Sequence, residues 1–181
     1  KYVELYKGVK TWFKRINDYG MKHHVDVEHY IISSGLTDII NGTQIAPEFK
    51  KIYACTYAYD NEGKVLWPSR VVNYTMKTQY LFRINKGVLN LSNDDDLNRF
   101  KPEEDRPVPF RNMIYIGDGL TDVPCMKLVK VNGGYSIAVY QAGKRNKVKD
   151  LIKDQRVNFI EPTDYSENSQ LDVIVKDIIR D

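Results

Sequence analysis

Residues 113–124 run Met113-Ile114-Tyr115-Ile116-Gly117-Asp118-Gly119-Leu120-Thr121-Asp122-Val123-Pro124. Four apolar residues stop abruptly at a glycine-rich turn, and an apolar pattern resumes at Val123, with a proline that the first turn of a helix tolerates. This reads as a buried strand, a turn and a helix, not as a hairpin arm. Asp118 and Asp122 stand four residues apart across the turn, so both carboxylates can face one crevice. Paired carboxylates beside open space suit a hard cation with oxygen ligands such as Mg²⁺. Gly-Asp-Gly alone is also a common tight turn; its position directly after a buried strand is what distinguishes it.

Downstream, Tyr135 to Tyr140 reads as a strand, Lys144 to Lys153 as a helix and Val157 to Ile160 as a short strand. Leu171, Ile174, Val175, Ile178 and Ile179 form the stripe of a closing amphipathic helix. Upstream, Val9, Trp12, Phe13 and Ile16 mark another helix, with Gly20 as its stop. His29-Tyr30-Ile31-Ile32 reads as a buried strand ending in the small-residue turn Ser33-Ser34-Gly35, which opens a helix over Leu36 to Ile40. Lys51 to Tyr59 and Lys64 to Trp67, joined by Asn61-Glu62-Gly63, read as a hairpin that Pro68 ends. Thr75 to Lys86 is helical and closes at Gly87. Strands alternating with helices predict an α/β fold with a mostly parallel sheet between helical layers, and a ligand site beyond the C-terminal ends of the strands.

The chain has 181 residues, which predicts a single core over 1–181. A formal charge of +3 is too small to imply a nucleic-acid partner. Lys144, Arg145, Lys147, Lys149 and Lys153 cluster, a spacing that fits the solvated face of a helix. Cys55 and Cys125 are the two cysteines; neither a disulfide framework nor a zinc site is suggested, which favours a reducing cytoplasm. No apolar run is long enough to span a membrane, and no signal peptide opens the chain.

Three further features bear on chemistry. A serine at a strand-to-helix turn, Ser33, can donate its hydroxyl to an anion, and the following backbone N–H groups can join it; the same residue is also an ordinary helix cap. Lys77, near the start of its helix, is a point charge suited to phosphate, and equally an ordinary surface lysine. The acidic run Asp94-Asp95-Asp96 reads as a solvated loop or a helix N-terminus. His23, His24 and His29 have no carboxylate or cysteine at ligand spacing, Trp12 and Trp67 read as packing residues, and Cys125 reads as buried in its helix.

Taken in order, strand-Ser, helix-borne Lys and Gly-Asp-Gly-x-x-Asp resemble motifs two, three and four of the haloacid-dehalogenase superfamily, closest to its phosphoserine-phosphatase-like branch. Tyr30-Ile31-Ile32-Ser33-Ser34-Gly35 resembles the serine strand, with Ser34 where that branch usually has glycine; Met76-Lys77-Thr78 resembles the lysine motif; Ile114 to Pro124 is similar to the metal motif. The resemblance implies a three-layer Rossmann-like core and a Mg²⁺-dependent phosphatase of a small phosphorylated metabolite, acting through an aspartyl-phosphate. It implies that Ser33, helped by Ser34 or Gly35, holds a phosphoryl oxygen and that Lys77 neutralises the phosphoryl group and the nucleophile. Asp118 would ligate Mg²⁺, and Asp122 would orient the metal's waters or Lys77. Lys86 is a rival for the lysine role, disfavoured by its place beside Gly87.

The family's first motif, an Asp-x-Asp after a buried strand, is not found in these residues. In that fold its strand lies at the centre of the sheet, between those bearing Ser33 and Asp118. The expectation is therefore a core whose central strand, nucleophile and helical cap come from a segment upstream of Lys1. The substrate is usually chosen by that cap and is not legible here. A non-catalytic module binding phosphate and metal is the alternative; a flavodoxin-like domain would need an acidic pocket or flavin loop, and neither is seen.

Overall fold

The computed structural model describes residues 3–181 and divides the chain into two compact units. One comprises the residues up to Asn73 together with Thr163–Asp181; the other is Tyr74–Pro162. Each has its own three-stranded sheet.

In the first unit, helix α1 (Val9–Lys22) buries Val9, Trp12, Phe13 and Ile16, the stripe read from the sequence. Gly20 does not end this helix but lies buried within it. A Cβ there would fall 2.6 Å from Val27 Cγ2 and 2.8 Å from the Val25 carbonyl, so the glycine admits a returning chain. Strands β1 (Tyr30–Leu36), β2 (Lys51–Tyr59) and β3 (Val65–Arg70) follow in the order β1-β2-β3, with helix α2 (Thr37–Asn41) after β1. The β1–β2 pair is parallel and the β2–β3 pair antiparallel.

Two expectations change here. Strand β1 continues through Ser33-Ser34-Gly35, its register with β2 shifting between Ile32 and Leu36. Pro68 sits inside β3, opposite Tyr57, and does not end it. An edge strand tolerates this, because its outer side needs no donor.

The second unit opens with α3 (Tyr74–Lys86), which buries Tyr80, Leu81 and Ile84. It ends at Gly87, whose φ of 74° takes the left-handed cap while the Val88 N–H returns to the Arg83 carbonyl. The acidic run is a helix N-terminus: Asn93 caps α4 (Asp94–Asn98), its side chain accepting from the Asp96 N–H. Then come β4 (Ile114–Gly117), α5 (Val123–Val131), β5 (Tyr135–Tyr140), α6 (Lys149–Lys153) and β6 (Phe159–Pro162), paired β4-β5-β6 and wholly parallel. Strand β5 is central and buries Ile137, Ala138 and Val139. The helix expected over 144–153 is broken into a 3₁₀ turn at Arg145–Lys147 and the short α6. Helix α7 (Gln170–Arg180) closes the chain in the first unit, buries Leu171, Ile174 and Val175, and packs on α1.

The fold is α/β, and among the described residues three of the four strand pairings are parallel. Strands β1 and β4 each lie at the end of their sheet, with one side unpaired among the described residues. No described helix is long and apolar enough to cross a membrane.

Candidate functional site

The C-terminal end of β4 delivers the Gly117–Asp122 turn, and α3 brings Lys77 to it. Lys77 is only 5% exposed and Asp122 only 7%. The Lys77 Nζ donates to Asp122 Oδ1 at 2.7 Å and lies 3.4 Å from Thr121 Oγ1. Asp122 Oδ1 also accepts from the Tyr115 hydroxyl at 2.8 Å, and Oδ2 accepts from the Gly119 N–H at 3.2 Å. The carboxylate is thus held on both oxygens, by a helix, a strand and its own turn.

The local sequence makes this possible. A Cβ on Gly117 would fall 2.9 Å from the Asp122 side chain, so the first glycine of the turn is required by close approach and not by backbone angle. Tyr115 has an apolar ring in the packed cluster of Val123, Met126, Ala138, Val148, Leu151 and Val157, and its hydroxyl finds the partner a buried tyrosine needs. Burial pushes the Tyr115 hydroxyl well above its ordinary range, and neighbouring Cys125 and Asp122 push it further. It therefore stays a proton donor to Asp122. Burial likewise pushes the Cys125 thiol up to about 11, so it packs here as an un-ionised side chain.

Asp118, in the same turn, is exposed and has neither hydrogen bond nor ion pair among the described residues. The two carboxylates of the turn are therefore unlike. Asp122 has both oxygens engaged and holds Lys77, whereas Asp118 is available to a ligand. Lys86, the rival lysine, donates to the Leu97 and Arg99 carbonyls at 2.6 and 2.8 Å, which ties down the segment around α4.

Ser33, Ser34 and Gly35 stand in the first unit, at the C-terminal end of β1. The Gly35 N–H donates to Ser33 Oγ at 2.9 Å, which leaves the serine's own proton to be donated outward. It also occupies the Gly35 N–H, which is therefore not open to an anion. The Ser34 carbonyl accepts from the Cys55 thiol. A groove in the same unit, lined by Leu5, Ile39, Thr43 and others, carries only Lys10 and Asp38 as charges, and Asp38 is engaged by the Tyr59 hydroxyl.

Among the described residues no group of three or more His, Cys, Asp or Glu converges as a metal cage. Mg²⁺ does not require one, since it is commonly held by one or two carboxylates with waters and substrate phosphate. The unpaired Asp118 fits that mode of binding; the two donors on Asp122 Oδ1 fit the holding of Lys77. Tyr115, Thr121 and Gly117 complete the site and were not singled out by the sequence reading. A tyrosine within an otherwise aliphatic strand was the available signal, since its hydroxyl must find a partner inside the fold.

No family model matches the chain. It is similar to an uncharacterized protein of Borreliella burgdorferi, 28% identical over 191 residues, covering 93% of this chain and 64% of that protein. The chain thus spans less than two thirds of the length of the curated relative it matches.

Proposed function

We propose that the chain is the larger part of a Mg²⁺-dependent phosphatase of the haloacid-dehalogenase type, acting on a small phosphorylated metabolite. The observation that carries this reading is the buried Lys77–Asp122 ion pair at the end of β4, beside the exposed and unpaired Asp118. A buried ion pair contributes little to stability over an apolar pair of equal volume, because desolvation offsets the attraction. Such a pair at a strand end, where α/β sheets take their ligands, is better suited to chemistry.

The nucleophile would be a carboxylate from outside these residues, on a strand that adds to the open edge of β4. Its oxygen would attack phosphorus as the ester oxygen leaves with a proton from a second acid of the same outside segment; water, giving its proton back to that group, would then cleave the acyl-phosphate to release inorganic phosphate and regenerate the carboxylate. Lys77, oriented by Asp122 and indirectly by Tyr115, supplies positive charge to the phosphoryl oxygens and the attacking carboxylate. In the first unit, the Ser33 hydroxyl accepts from the Gly35 N–H and keeps its own proton for an anion. Mg²⁺, held through Asp118, would neutralise charge on the phosphoryl group.

The test is release of phosphate from p-nitrophenyl phosphate by the full-length gene product, with and without Mg²⁺, against Asp118→Ala. Turnover that needs Mg²⁺ and is lost in Asp118→Ala supports the reading. A full-length protein that is inert on phosphate esters yet binds Mg²⁺ through Asp118 is a binding module instead.

A further inference from the structure

Three of the cations at 144–149 are not on the face of an α-helix; the fourth, Lys149, is the first residue of α6. Lys144, Arg145 and Lys147 precede α6, in the loop that leaves β5. Strands β4 and β5 are parallel with Gly117 opposite Ala138, so the loop after β5 rises from the same sheet end as Asp118, one strand spacing away, about 4.8 Å. A turn holds its root: the Lys144 N–H donates to the Gln141 carbonyl at 2.9 Å, with Gly143 at φ 77°. Its far end is pinned by Val148, only 4% exposed, which packs in the cluster that contains Val123 and Tyr115. Val123 directly follows Asp122. The loop is therefore fixed at both ends beside the candidate site.

Between these anchors the charge is one-sided. Residues 144–147 hold three cations, Lys144, Arg145 and Lys147, and no acid, and a fourth, Lys149, follows Val148 at the start of α6 beside Asp150. All four are exposed, and none is in an ion pair among the described residues. The Lys144 ammonium donates to the Gln141 side chain, and Arg145 lies near enough to Glu161, at the end of β6, to oppose the rise that burial gives that carboxyl. Four like charges on six residues repel one another unless an anion joins them.

We propose that the Lys144–Lys149 loop binds a second anionic group of the substrate, so that the substrate is a small phosphate monoester carrying a further phosphate or carboxylate. This rests on the phosphatase reading above, in which Lys77 and Asp118 attend the phosphate that is cleaved. The loop then selects for the remote charge, and its binding energy orients the monoester at β4.

The experiment compares the full-length protein with its Lys144→Ala/Arg145→Ala/Lys147→Ala variant on two substrates, fructose 1,6-bisphosphate and p-nitrophenyl phosphate. Binding of inorganic pyrophosphate without Mg²⁺ is measured in parallel by calorimetry. The expected result is a fall of about tenfold or more in the ratio of kcat/KM for the bisphosphate to that for p-nitrophenyl phosphate, with pyrophosphate binding weakened about as much. A merely structural role lowers both activities together and leaves the ratio unchanged, which overturns the proposal while the phosphatase reading stands. A protein inert on both substrates ends the phosphatase reading. The loop is then judged by pyrophosphate alone: weaker binding in the variant retains it as an anion site, and equal or absent binding overturns it.

Discussion

Both units bury an aspartate among cations, and the two sites are built differently. In the first unit Asp172 is fully buried and joins α7 to α1: its oxygens take Arg15 Nε at 2.9 Å, Lys176 Nζ at 2.8 Å and the Asn168 N–H at 3.0 Å. Arg15 reaches on to the Tyr165 carbonyl, and its guanidinium lies 5.7 Å from the Trp12 ring centre. Arg15 ties α1 to α7 and to the segment before it, while Lys176 closes the network from within α7 itself. In the second unit Asp122 holds one lysine at a strand end, and the next carboxylate, Asp118, is free. One arrangement is closed on itself; the other leaves an unsatisfied charge facing outward. On the proposed reading, that difference separates an ion pair that builds a fold from one that equips a site.

The largest expected effect on stability falls on the closed network. Asp172→Ala leaves Arg15 and Lys176 without their buried partner, and urea unfolding should show a loss of about 3–5 kcal/mol. Gly117→Ala should cost less, about 1–3 kcal/mol, because its methyl must displace the Asp122 side chain. If the protein is the proposed phosphatase, activity measured where the variant is still fully folded should fall as well; unchanged activity there would make Gly117 a simple turn residue.

Acid should weaken the first unit through two groups. Although burial opposes it, the bonds from Lys176, Asn168 and Arg15 hold the Asp172 carboxyl below its ordinary range. His29, desolvated against Phe13 and bonded to Asn17 at 2.7 Å, falls to about 4. Both depressed groups bind fewer protons folded than unfolded, so their contribution is present at neutral pH and is lost as pH falls. For His29 the loss begins near its unfolded value of about 6.5 and is complete below its folded value. The urea midpoint should therefore decline from pH 6.5 to 4, and His29→Phe should flatten that decline. Smallest of all, Tyr115→Phe removes one of the bonds to Asp122 and should cost about 0.5–1.5 kcal/mol.

Where local pattern and tertiary demand agree, the fold was legible in the residues. The 3.6-residue stripe of α1 and the spans of β2 and β5 stand where sequence reading puts them. Disagreement arises where a distant contact decides. Gly20 looks like a helix stop, but Val25 and Val27 pass over it. Pro68 looks like a strand end, but an edge strand has room for it. The cationic run at 144–153 has helical spacing, yet the backbone at buried Val148, φ −120° and ψ −9°, leaves the helical region and breaks it. At the site, Asp118 and Asp122 were legible from their turn and Lys77 from its place in the motif order. Tyr115 was not, because nothing local says which side chain its hydroxyl will meet.

The distinction between the two buried carboxylates has one direct test. The full-length protein is made with Lys77→Met/Asp122→Leu and, separately, with Arg15→Met/Asp172→Leu/Lys176→Met, and each is assayed for melting and for Mg²⁺-dependent hydrolysis of p-nitrophenyl phosphate. Apolar replacement of a whole buried ion group is often tolerated, so both variants should remain folded. The account predicts that the first loses activity by about a hundredfold or more while the second retains it. Retained activity in Lys77→Met/Asp122→Leu would contradict it.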